Sequence, residues 1–125
     1  MSSPSTTKRI QTLAALLGLK DWDITLSTSL SGDDDYGTVA VTDGRRRASI
    51  RLCEEFDSLT LREQEVTLIH ELLHCHTAPV LAYLRATLPQ AVGAPAADAI
   101  YNAVDQHLEH AVDAVAVAVQ EAGIC

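Results

Sequence analysis

At 125 residues, 47% hydrophobic and 21% charged, the chain has the makeup of one globular domain with a modest core, which excludes a disordered or fibrous chain. A net charge of −8 opposes a polyphosphate partner and excludes a general nucleic-acid binder. No apolar run approaches the roughly 20 residues that a bilayer span needs, and residues 1–7 are too polar for a secretory signal. We therefore expect a cytoplasmic protein, without a membrane partner, whose cysteines Cys53, Cys75 and Cys125 are free thiols.

Residues 1–5 read as a frayed tail. From 6 to 17 the apolar positions Ile10, Leu13, Ala14, Leu16 and Leu17 predict an amphipathic helix, ended by Gly18, which tolerates the left-handed conformation. Alternation over 23–29 predicts a strand with Trp22 packed at its entry. The carboxylates Asp33, Asp34 and Asp35 lack the spacing of a calcium loop and read as a solvated turn. Residues 36–42 and 45–53 flank Asp43-Gly44, a strong hairpin signal because a two-residue turn needs positive φ. That turn would set Val41 opposite Arg46, Val39 opposite Ala48 and Gly37 opposite Ile50. The other face carries Arg45, Arg47, Ser49 and Arg51.

Thr60-Leu61-Arg62-Glu63 is a capping box, so a helix starts at residue 61. Its wheel buries Leu61, Ile69, Leu72, Leu73 and His76 and leaves His70 and His74 at the edge. Cys75 reads as a small buried hydrophobe. Pro79 should break or kink this helix, followed by a short helical piece at 80–88, a loop at 89–95 and a last helix at 96–122. From Ala111 to Val119 that helix is apolar apart from Asp113, a carboxylate that would be costly to bury unpaired.

The chemistry concentrates in His70-Glu71-Leu72-Leu73-His74. Residues four apart share a helix face, so both imidazoles can close on one metal ion. Two imidazoles suit Zn2+, which takes a third protein ligand and keeps an open position for water. Glu71 between them can serve as general base, taking a proton from the zinc-bound water and passing it to a leaving amine. Glu109, His107 and His110 compete for the third ligand position. Glu109 and Asp113 lie four apart, so a coordinating Glu109 leaves Asp113 placed to accept a hydrogen bond from a liganding histidine. The competing reading makes both part of a solvated face with Asp98, Asn102 and Asp105.

HExxH at 70–74, followed on a later helix by Glu109-xxx-Asp113, resembles the gluzincins, thermolysin-like zinc peptidases with a His, His, Glu site. The element order is similar to that of the minigluzincins and of ImmA/IrrE-type metallopeptidases, over Ile10 to Val119. The resemblance implies a single α+β zincin-like domain over 1–125: an N-terminal helix, a small three-stranded twisted sheet, the active-site helix and a C-terminal glutamate helix. It further implies zinc at His70, His74 and Glu109, Glu71 as base and Asp113 behind a histidine. The strand at 36–42 would lie at the sheet edge, where a peptide or protein substrate adds as a further strand.

The chain departs from the pattern at Leu108, where thermolysin-like sites commonly have asparagine. The oxyanion-stabilising group is open among Tyr36, Tyr83, Tyr101, His107 and His110. A catalytically silent module that keeps the zinc fold and binds a partner strand is the alternative to a zinc metalloendopeptidase. A thiolate from Cys53 or Cys125 as a fourth ligand would make the domain latent.

Overall fold

A computed structural model describes residues 4–27, 36–42 and 44–123. The order is α1 (Pro4–Leu16), β1 (Asp23–Leu26), β2 (Gly37–Val41), β3 (Arg47–Leu52), a 3-10 turn (Phe56–Ser58), α2 (Leu61–Val92) and α3 (Ala94–Glu121). This is an α+β fold of three helices and a three-stranded mixed sheet, ordered β1-β3-β2. The expected aspartate loop at 33–35 and residue Asp43 lie outside the described residues.

Helix α1 starts at Pro4, inside the expected tail, because Thr6 is already buried and anchors the first turn. Ile10, Leu13 and Ala14 enter the core, while Leu16 turns to solvent. Gly18 closes the helix at φ +80, and the Leu19 amide donates to the Ala14 carbonyl at 2.8 Å, the six-to-one bond of a Schellman end. His76, expected on the buried side of its helix, is exposed, and its Nε2 lies 2.7 Å from the Leu17 carbonyl, which lacks a partner within its own helix.

The hairpin register differs from expectation by two residues. Val41 pairs with Ala48, Val39 with Ile50 and Gly37 with Leu52. The connection is longer than two residues because the Arg45 amide returns to the Thr42 carbonyl at 3.2 Å, with Gly44 at φ +73, and the ladder closes one step later, at Thr42 and Arg47. A slip of two preserves the face of every side chain. Ala48, Ile50 and Leu52 are therefore buried, and Arg47 and Arg51 point to solvent. β1 runs parallel to β3 on the far side, which leaves β2 as an edge strand against α2. Gly37 sits where that approach is closest: a Cβ there would lie 3.3 Å from Thr67 Cγ2 and 3.2 Å from Leu52 Cδ2.

The capping box of α2 forms as expected, with Thr60 Oγ1 accepting from the Glu63 amide and Glu63 Oε1 accepting from the Thr60 amide, each at 3.1 Å. These bonds hold the Glu63 carboxyl below its usual pKa. Leu61 faces water instead of the core, since it occupies the first turn, beyond the reach of the sheet. Of the break or kink expected at Pro79, the break is absent, as is the loop at 89–95: α2 runs 32 residues through Pro79 and Pro89. Packing against α3 along its length outweighs the helix bond that each proline forfeits. Only Gly93, at φ 85 and ψ 161, separates the two helices. At the other end of this pair, Arg62 bonds Glu121 and Gln120 bonds Glu65, both at 3.2 Å.

Only the first half of α2 reaches the core, through Leu68, Ile69, Leu72 and Cys75. Gln64 ties that half to its surroundings. Its Nε2 donates to the carbonyls of Phe56 and Leu59 at 3.1 Å, and its Oε1 accepts from Arg9 at 2.8 Å. The Gln64→Leu substitution removes the side-chain donor to the Leu59 and Phe56 carbonyls and the acceptor of Arg9, and is expected to cost about 1–3 kcal/mol in urea unfolding, with the fold retained.

Candidate metal centre

The helical spacing of His70 and His74 and the antiparallel packing of α3 on α2 bring three side chains to one point. The two Nε2 atoms are 3.1 Å apart. Glu109 spans them, Oε1 at 2.8 Å from His70 Nε2 and Oε2 at 3.2 Å from His74 Nε2. Among the described residues, His70, His74 and Glu109 form the one group arranged to hold a metal ion.

The outer nitrogens define the tautomers. His70 Nδ1 lies 2.7 Å from Asp113 Oδ1, so Nδ1–H donates to Asp113, and in the neutral ring that tautomer gives Nε2 the lone pair a metal ion would need. His74 Nδ1 lies 3.3 Å from Thr77 Oγ1, whose own hydroxyl donates to the His74 carbonyl at 3.4 Å. With Thr77 accepting from Nδ1–H, the neutral His74 ring would likewise present its Nε2 lone pair. Two lone pairs and a carboxylate aimed at one another repel unless a positive charge lies among them. Burial, and secondarily the neighbouring His70, lower the pKa of His74 despite the opposing pull of Glu109 and Asp105. A metal cation among the three groups would balance them.

The spacing suits such an ion. Tetrahedral ligands at 2.0–2.1 Å from zinc stand about 3.3 Å from one another, so the donors need move outward by only a few tenths of an ångström.

Glu71 is buried, with Oε2 3.9 Å from His70 Nε2, on the floor of the cleft beside the cluster. Behind it the Cys75 thiol is pushed up to about 11, by burial first and by the Glu71 charge second, and stays protonated. The cleft, about 590 Å³, is walled on one side by Gly37, Val39 and Val41 of β2 and on the other by Thr77, Leu81 and Asp105. A second depression of about 380 Å³ continues it past Tyr36 and Asp113. A groove therefore follows the edge strand across the cluster.

Each of the five residues singled out from the sequence lies at this point. His107 and His110, the rival ligands, are exposed on α3 and stand outside the group. Cys53 is buried in the core and also stands outside it, and Cys125 lies beyond the described residues. Of the oxyanion candidates, Tyr36 alone lines the groove beside the cluster, whereas Tyr101 stacks under Arg85 at 4.4 Å. Thr77 was missed, although its position three residues after His74 places it on the same helix face.

The expectation that α3 is otherwise buried does not hold. Val112 and Ala116 are covered, but Ala111, Ala114 and Ala118 are exposed, because α3 packs on α2 with one face and no further layer of the described residues covers it. Asp113 is half exposed and compensated by His70. No described helix is long and apolar enough to cross a membrane.

No protein-family model matches this chain, and comparison with curated proteins and with solved structures likewise finds no match. Asp113→Asn leaves the ring of His70 without its charged acceptor and is expected to weaken zinc binding about 10- to 100-fold in a competition titration against a chelator, with the fold retained. Glu109→Ala removes a ligand atom and should weaken it further.

Proposed function

We propose that this protein is a zinc-dependent peptidase of gluzincin type, a metalloendopeptidase in which His70, His74 and Glu109 hold the ion. The observation that carries the reading is the convergence of the His70 and His74 Nε2 atoms on the Glu109 carboxylate, with a buried Glu71 beside them. A zinc ion there would polarise the scissile carbonyl and lower the pKa of an attacking water.

The chain's own residues supply the rest. Glu71 removes a proton from the water as its oxygen bonds to the carbonyl carbon. The carboxylic acid so formed delivers that proton to the amide nitrogen as the carbon–nitrogen bond breaks, which regenerates the carboxylate. Asp113 keeps His70 in the Nδ1–H tautomer, and Thr77 does the same for His74.

The edge of β2, unpaired among the described strands, would offer backbone donors and acceptors to an extended substrate, whose main chain would pair with it as a fourth strand. The open groove on both sides of the cluster accommodates chain running past the scissile bond, in keeping with an endopeptidase. A domain that binds zinc and a partner strand without cleaving it is distinguished by one substitution. Glu71→Gln is expected to retain about one zinc per chain and to lose at least about 100-fold in peptide turnover, the scale of general-base catalysis. Unchanged function in the zinc-loaded variant would exclude the peptidase reading.

A further inference from the structure

Beyond the metal cluster the groove opens into a third depression of about 560 Å³, lined by Trp22, Ala78, Pro79, Ala82 and Tyr83, with Arg45 and Arg46 at its rim. It joins the cleft through Val41 and Ala78, which line both. The continuous course of α2 through Pro79 builds its floor, and the four-residue hairpin connection builds its opposite lip. The position Trp22 takes at the entry to β1 supplies an aromatic wall.

We infer that this depression is a specificity subsite for a bulky apolar side chain whose neighbour in the peptide is acidic. The inference rests on the reading of the cleft as a peptide groove. Two observations carry it.

The first is register. Gly37, Val39 and Val41 alternate toward the helices, opposite the buried Leu52, Ile50 and Ala48. A substrate strand on β2 would follow the same alternation, with side chains two residues apart about 7 Å along the groove. A residue passing Gly37 or Val39 lies at the metal cluster, and one passing Val41 faces the apolar depression. That side chain is therefore selected two to four residues from the scissile bond.

The second is charge. The cluster end of the groove carries Glu71, Asp105, Glu109 and Asp113, which repel an acidic substrate residue. The far end carries two guanidinium groups, in a chain whose net charge is −8. Among the described residues Arg46 pairs with Asp21 at 3.8 Å, and both side chains are largely exposed, so a substrate carboxylate competes for it. A bulky apolar residue is favoured by the small side chains of Ala78 and Ala82, which leave the space open.

Trp22 is the single tryptophan of the chain, so its emission reports occupancy of the subsite independently of turnover. The probe is a set of blocked decapeptides in which a Phe-Glu pair is walked through a Ser/Gly background, with Ser-Lys controls. These are titrated into zinc-loaded Glu71→Gln protein and offered as substrates to the zinc-loaded wild type. At the favoured position Phe-Glu peptides are expected to shift Trp22 emission and to bind about tenfold more tightly than Ser-Lys. Arg45→Glu combined with Arg46→Glu should transfer the preference to Phe-Lys. Ala82→Phe should weaken Phe-Glu binding while zinc content and melting temperature are retained.

Equal binding of the two peptides, or an unchanged ranking after charge reversal, overturns the inference. A selective Trp22 response without wild-type hydrolysis supports the subsite and removes the peptidase reading. Hydrolysis without selectivity does the reverse.

Discussion

The ring of His70 is held from two sides by one helix. Asp113 meets its Nδ1 at 2.7 Å and Glu109 meets its Nε2 at 2.8 Å, and both carboxylates project from α3. Because Glu109 and Asp113 are one turn apart, only one register and rotation of α3 against α2 allows both contacts. That constraint determines where His74 finds Glu109, and where β2, packed on the same stretch of α2, forms a wall of the cleft. Half-exposed charge pairs contribute little to stability by themselves. Their importance here is positional.

A group built this way conflicts with the ordinary requirements of folding. Two imidazoles and a carboxylate converge, and the Glu71 carboxylate is buried beside them. The surrounding structure offsets this. The first half of α2 is anchored by Leu68, Ile69, Leu72 and Cys75 in the core, by a complete capping box and by Gln64 reaching α1 and the turn at 56–59. The apex formed by Gly93 and the clamps of Arg62 and Gln120 at the other end hold the helices antiparallel while the site between them stays open. The converging groups thus sit on the half of α2 that is anchored in the core, which favours a preorganised arrangement.

The groove has a graded character. Its middle is acidic and polar around the cluster, its floor includes Glu71, and one end becomes apolar with a basic rim. Gly37 keeps β2 close to α2, since any side chain there would press on Thr67 and Leu52. The width at the metal group and the space at the far end are therefore set separately, the first by a missing Cβ and the second by alanines.

Much of this was legible in one dimension. HExxH spacing, the capping box, the amphipathic α1 with its glycine stop and the four-residue interval between Glu109 and Asp113 are local patterns, and local geometry carries them into the structure. The hairpin slipped by two residues without exchanging its faces, since strand side chains repeat with period two. What the sequence left open depended on packing between distant segments. Two prolines and a run of small residues read as a break and a loop, yet α2 continues because α3 lies along it, and only Gly93 interrupts the chain. The choice of Glu109 over His107 and His110 was likewise made by the helix pair, which turns one face of α3 toward α2 and the other to water. Periodicity names the residues that share a face. Only tertiary contact decides which face is used.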